Sequence, residues 1–478
     1  MDRRDFMMQA AGGVGLGIPA TAMLGHTAQA APLGDSAPQP GVDLSGLPNF
    51  CSHEHWGSIG PIGMADEGFR ADTEAGAAPS RSVSVWDLLL DPYLGGWLHA
   101  SGVNPDALAK AASQPDFRSW WTAAPKAALA AMRPHLEAHL LTGAFQCIRR
   151  GVRLLHGVDL ATFDPMEWLR ADRLVANAYQ DIFAWYGKAM ADAHFSALIR
   201  PVHPEYYLRE ADPARAKAER AFTHTVLRID GLLELWQPDS PRRAALAQWL
   251  GVEPSDAASW RTLLAKLFDA AAEKGCAGIK QLQAYRRPLD FGEASDGRVQ
   301  KWVGGLTPAQ QRAFEDWMVH ACCAQAHERG WPHQVHVGTH NLEESGPMPL
   351  AGLARAYPRQ RIVMLHAWPF IDECGWLIKH QHNISVDTCW QPVLNPMFFT
   401  QALRTWLNYA PWTKVMCSHD STSVEMAAGS SLFTRELAGQ ALGLQAAGLA
   451  GDEALPLEIG KALLHNNAVR VYGVGETV

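Results

Sequence analysis

The chain has no block of basic residues, no CxxC pair and no internal repeat. Beyond its first thirty residues it also lacks any apolar run long enough to span a bilayer. Each absence removes a class of function. Without a basic block, and at a net charge of −8, nucleic acid and anionic membranes are poor partners. Eight cysteines, none in a CxxC pair and two adjacent in "ACCAQ", do not make a zinc knuckle or a disulfide framework. Cys51, Cys276, Cys374, Cys389 and Cys417 lie in or beside apolar runs and are expected in the core. No glycine-rich phosphate loop follows the first apolar run, which weighs against an open, doubly wound dinucleotide sheet. The partner left to expect is a small-molecule substrate, bound by a monomer or a homo-oligomer.

The two ends of the N-terminal region read differently from the rest. "MDRRDFMMQAAGGVGLGIPATAMLGHTAQA" has a basic start, a small-residue apolar middle and an Ala28-Gln29-Ala30 end, the pattern of a signal peptide cut before Ala31. Arg3-Arg4 followed by Asp5-Phe6-Met7 resembles the twin-arginine export signal. That resemblance implies a periplasmic or secreted protein exported already folded, often with a cofactor in place. Residues 31–48, rich in Pro, Gly and Ser, are expected to be a linker. The remaining residues, 49–478, are enough for one large core.

From about residue 82 to 195, Ala, Leu and Trp recur at helical spacing, with the tryptophans expected in a core. After residue 195, short apolar runs alternate with amphipathic stretches: "SALIRPVHP", "HTVLRIDG", "CAGIKQLQAY", "HQVHVGTH", "RIVMLHAWP", "NISVDTCW" and "KVMCSHDST". With "FCSHEHW" at the front these make eight strand–helix units. Eight such units predict an α/β fold, a closed (βα)8 TIM-like barrel, with a helical insertion at about 70–195 after the first strand.

In such a barrel the C-terminal strand ends meet in one pocket. Here they carry His53 and His55, Lys280, His336, His366 and Asp420. Residues i and i+2 on a strand face the same way, so His53 and His55 can share one ion while Glu54 points elsewhere. With His336 and Asp420 they form a nitrogen and oxygen donor set suited to a divalent metal: zinc first, with manganese or iron as alternatives. One HxH pair is expected by chance in roughly this many histidines. The second pair, His380 and His382, falls in a helix-to-strand connection and has no such partners.

These motifs resemble the amidohydrolase superfamily, in its amidohydrolase-related branch. "CSHEHW" is similar to the first strand, "GIKQLQAYRRPL" to the fourth and "QVHVGTHN" to the fifth. "RIVMLHAWPFIDECGWLIKHQHNISVDT" is similar to the sixth and seventh, "KVMCSHDST" to the eighth, and "ALLHNNAVRVYG" to the closing helix. The resemblance implies one or two metal ions held by His53, His55 and Asp420, with His336 as a further ligand. His366 is then a second-metal ligand or an acid/base. Asp420 takes the proton of a water that the cation activates. In binuclear members a fourth-strand lysine bridges two ions as a carbamate, which is one role for Lys280. The other is a free lysine that pairs with a substrate carboxylate beside Arg286 and Tyr285. Arg228 is another candidate anion contact. Asp387 is expected to orient a neighbour, Glu425 to be a solvated helix-start carboxylate, and His203 and His340 to sit near the mouth.

The expected activity is that of a metal-dependent hydrolase acting on a small, anionic organic substrate. A nonoxidative decarboxylase, a sugar isomerase and a non-catalytic metal-site binding protein stand as alternatives.

Overall fold

Eight short runs of buried residues form one parallel sheet whose strands are neighbours in chain order. They are β1 (Asn49–Cys51), β2 (Phe195–Val202), β3 (Thr223–Arg228), β4 (Cys276–Gln281), β5 (His333–Val337), β6 (Ile362–His366), β7 (Ile384–Asp387) and β8 (Val415–Met416). This computed structural model describes residues 41–55, 83–90, 98, 102–208, 217, 220–292, 295–299, 306–446 and 454–475. The proposed signal peptide and residues 31–40 of the expected linker lie outside that set. β2 is buried at all eight positions, as expected of a strand covered on both faces.

The last strand returns to the first. Just past β1 and β8, Asp420 N–H donates to the His53 carbonyl at 2.9 Å and His55 N–H donates to the Ser421 carbonyl at 3.0 Å. These bonds close the sheet at its C-terminal rim, which makes the fold a (βα)8 barrel. β8 itself is only two residues long, so the closure rests on the turn that carries Asp420.

Between β1 and β2 lies the helical insertion, whose described helices run from Val85–Leu89 to Ile182–Asp192. Its tryptophans cluster within the hydrophobic core that continues into the barrel: Trp86 packs at ring-centroid distances of 4.7 Å from Phe117, 5.4 Å from Trp121 and 4.9 Å from Trp168. The insertion is fastened to the barrel through glycines. Helix Gly143–His156 lies so close to helix Val424–Ala446 that a Cβ on Gly151 would sit 1.7 Å from the Glu425 carbonyl oxygen. A Cβ on Gly429 would sit 1.7 Å from the Cys147 carbonyl oxygen. Only glycine permits that approach.

The linker ends earlier than expected. Val42 N–H donates to the Gly439 carbonyl at 3.0 Å and Leu44 is 2% exposed, so burial of one apolar side chain already ties residues 42–44 down. All eight cysteines are free and buried, as the apolar runs around five of them predict.

Candidate active site

At the C-terminal rim, His53 and His55 turn to the same side with their rings 4.9 Å apart. Glu54 points away, fully buried, accepting from Ser421 N–H at 2.7 Å and from the Cys51 thiol at 2.9 Å. The alternation that frees the two histidines thus commits the residue between them to holding the barrel seam. Asp420 faces both rings: its Oδ1 is 3.7 Å from His53 Nε2 and 3.3 Å from His55 Nε2.

The ring orientation of His53 is fixed from behind. Its Nδ1 lies 3.0 Å from the side-chain oxygen of Gln334, whose amide nitrogen donates to the Ser52 carbonyl at 2.7 Å and to Tyr472 Oη at 2.8 Å. Those two donations assign the amide, so Nδ1–H is the donor and Nε2 keeps its lone pair toward Asp420. Sequence reading missed Gln334. It stands two residues before His336 on β5, so strand alternation placed it on the same face, but a neutral amide carries no metal signal.

His366 ends β6 with its Nδ1 at 3.0 Å from the Cys389 carbonyl and 3.5 Å from Asp420 Oδ2. Both His366 (φ 68°) and Asp420 (φ 54°) adopt the left-handed backbone conformation that non-glycine residues avoid. Such strain is kept where a side chain must be aimed, and here it falls on two converging candidates. Burial, aided by the Lys280 ammonium, holds His53, His55 and His366 well below the ordinary imidazole range. Burial and His366 do the same to His336. All four are neutral near pH 7, the form that binds metal.

Lys280, on β4, is fully buried with Nζ 3.4 Å from His53 Nε2. Burial pulls its pKa down to about 8 against the opposing pull of the Asp420 carboxylate. His336 lies beside His366, ring centroids 4.3 Å apart. Its Nε2 is turned to the Gly338 carbonyl at 3.2 Å and to Thr339 Oγ1 at 2.7 Å, outside the group formed by His53, His55 and Asp420.

These residues line a cavity of about 380 Å³. The candidate anion contacts occupy different depths of it. Arg228 closes β3 and is buried, with Nη2 donating to Asp230 Oδ2 at 2.8 Å and Nε to Oδ1 at 3.3 Å. Burial raises the Asp230 carboxyl, but Arg228 outweighs it and the group ends below its ordinary value. Tyr285 packs its ring 4.4 Å from His336. Arg286 is 72% exposed at the outer rim, paired with Glu234. His203 also lines the cavity, while His340 stacks between Tyr285 (4.7 Å) and Trp390 (5.8 Å).

Two expectations meet a different outcome or a fuller one. Glu425 is not solvated: it is fully buried, 2.9 Å from His156 Nε2 and 2.6 Å from Tyr179 Oη, and joins the insertion to the helix after β8. It follows the strand end too closely to reach bulk water once the insertion covers that helix. Asp387 does orient neighbours. It accepts from Ser418 Oγ at 2.6 Å, from Cys389 N–H at 3.0 Å and from Ser52 Oγ, and so ties β1, β7 and β8 under the site. Of the second HxH pair, His382 bonds away from the site, with Nε2 at 2.9 Å from the Pro358 carbonyl.

The donor set fits a divalent cation. Donor atoms around one ion at about 2.1 Å cannot be more than about 4.2 Å apart. The separations from Asp420 Oδ1, 3.7 and 3.3 Å, meet that limit. One buried donor atom from each of His53, His55 and Asp420 lies within 4.8 Å of the others. His366, Cys389 and Asp420 form a second such group.

A family model described as amidohydrolase matches residues 176–474, well over half of the sequence. The chain belongs to the amidohydrolase family. The match begins in the last helices of the insertion, so His53 and His55 enter on geometry alone. No curated protein matches this amidohydrolase. Among solved structures it is similar to the uronate isomerase of Thermotoga maritima, with a TM-score of 0.69 at 13% identity over 90% of this chain and 95% of that one. The glucuronate isomerase of Caulobacter crescentus gives 0.62 at 16% over 90% and 92%. A candidate metal-dependent hydrolase from Lactobacillus casei gives 0.56 at 15% over 91% and 98%. At these identities the likeness is one of fold.

Proposed function

We propose that this amidohydrolase is a metal-dependent hydrolase of a small, carboxylate-bearing organic substrate. The observation that carries the reading is the convergence of Asp420 on His53, His55 and His366, all buried, in a cavity that also holds Lys280 and Arg228. His53, His55 and Asp420 would hold the ion, zinc by preference for such a nitrogen and oxygen set. A cation bound there supplies Lewis acidity and lowers the pKa of water toward neutrality.

The rest is the work of the chain's own side chains. Asp420 is placed to accept the proton of the attacking water, since its second oxygen faces His366 rather than the HxH pair. Asp420 then passes that proton to the leaving group, while His366, whose Nδ1–H donates to the Cys389 carbonyl, stands beside it in one fixed neutral tautomer. Arg228, fixed by Asp230, meets negative charge on the substrate. Lys280, neutral in a sizeable fraction near pH 8, has the free amine that carbamate formation needs, and as a carbamate it would add oxygen ligands for a second ion.

The test is a panel of esters, lactones and amides, with and without a remote carboxylate, assayed before and after chelation. Hydrolysis of the carboxylate-bearing members, lost on chelation and restored by metal, is the expected result. A second reading, nonoxidative decarboxylation, draws on the same Lys280, which as a free ammonium 3.4 Å from His53 Nε2 could pair with a carboxylate. Release of CO₂, or interconversion of an aldose and a ketose, with no hydrolysis anywhere in the panel would overturn the hydrolytic reading.

A further inference from the structure

The β3 side of the mouth carries a basic residue that no strand end supplies. Arg242 sits in the first turn of helix Pro241–Leu250 and reaches back to line the cavity. Its Nε donates to Glu205 Oε1 at 2.6 Å, and the Glu205 side chain is fully buried. Among the described residues that carboxylate is its one ion-pair partner, bonded through Nε, so both terminal nitrogens keep their N–H groups. The guanidinium lies over Gly231, which also lines the cavity. A Cβ at residue 231 would fall 2.0 Å from Arg242 Nη1 and 2.9 Å from Cζ. The space a side chain would fill at Gly231 is therefore taken by Arg242.

The arginines at this mouth are not equivalent. Arg228 turns both Nε and Nη2 onto Asp230. Arg286 is 72% exposed beside Glu234, where solvent screens its charge. Arg242 is 18% exposed at the side chain and held by a buried acid at one nitrogen, and among the described residues no ion pair or hydrogen bond engages the opposite edge of its fork. A planar donor pair fixed before the ligand arrives is the arrangement that binds carboxylate most selectively.

We propose that Arg242, anchored by Glu205 across the opening left by Gly231, is the specificity-determining contact for a carboxylate on the substrate remote from the reacting bond. The cavity would then take organic dianions, one charge at the metal end and one at Arg242. This rests on the cavity being the substrate site of the proposed function, and not on which bond is broken there.

The experiment is binding, not turnover. The metal-loaded protein is titrated by calorimetry with glutarate and with its monoamide, glutaramate, as probes. The wild type should bind glutarate at least tenfold more tightly. Arg242→Gln and Gly231→Ala should each cut that preference below threefold, with metal content and melting temperature near wild type. The glycine variant keeps the positive charge and moves only its position, so it separates placement from net charge. Arg404→Gln, on an exposed position of helix Pro396–Tyr409 outside the cavity, should leave the preference intact. A tenfold preference that survives both Arg242→Gln and Gly231→Ala, or no preference in the wild type, would overturn the inference. Because no hydrolysis is measured, failure of the hydrolytic reading in the substrate panel leaves this result readable by itself.

Discussion

Gln334 shows how much of the site depends on a residue that never touches the substrate. Its side-chain oxygen fixes His53 Nδ1, and its nitrogen is anchored on Ser52 and Tyr472. Gln334→Leu keeps the volume and removes the acceptor, so metal affinity should fall about 10- to 100-fold with the fold intact. Competition against a chelator reads this directly, and unchanged affinity would remove Gln334 from the account. For Lys280, metal uptake by stripped protein should rise with bicarbonate, and Lys280→Met should abolish that dependence. Uptake indifferent to bicarbonate would leave the lysine as a free cation. At this scale the histidines and Asp420 were legible because strand ends in a barrel converge and their side chains announce their chemistry. Gln334 and Arg242 were not. The first is neutral, and the second reaches the mouth from a helix rather than a strand, through a long side chain whose path depends on the absence of a Cβ at Gly231.

At the scale of elements, the eight strands and the helical insertion were legible as a change of period near residue 195. What periodicity could not give is how the insertion docks. The contact of helix Gly143–His156 on helix Val424–Ala446 is set by backbone approaching backbone, and it buries Glu425 against His156 and Tyr179. Gly151→Ala should therefore cost at least about 2 kcal/mol, because the obstructing atom is a carbonyl oxygen that cannot rotate away. Gly187→Ala, in helix Ile182–Asp192 with nothing within 4 Å of its Cβ, should be neutral or stabilise by up to about 1 kcal/mol. Thermal or denaturant unfolding of the two variants compares them, and equal stabilities would contradict the docking described. The short β8 belongs here too. The sequence "KVMCSHDST" promised a strand, but only two residues pair as one, because the chain turns at Cys417–Asp420 to close the barrel.

For the whole molecule, acid stability follows from buried imidazoles away from the cavity wall. Burial holds His333 and His419 at a pKa of about 3, against about 6.5 in an unfolded chain. The folded value is the lower one, so as pH falls below about 6.5 the unfolded chain takes up protons that the native protein refuses. Stability is then full above that pH and is lost on acidification toward about 3. Each residue contributes a loss of about 1.4 kcal/mol per pH unit, or about 2 kcal/mol at pH 5. Unfolding free energies between pH 7.5 and 5 should show this slope, and His333→Met should reduce it by about one proton. A flat profile would mean that these rings find a way to protonate in place.

The central claim is that His53, His55 and Asp420 hold the ion on which the chemistry depends. Elemental analysis of the purified protein and of its His53→Ala variant, both prepared without chelator or histidine tag, tests it most directly. The account predicts at least one equivalent of a divalent metal per chain in the wild type and essentially none in the variant. A wild type that stays empty after metal is supplied, or a variant that keeps its metal, would contradict it.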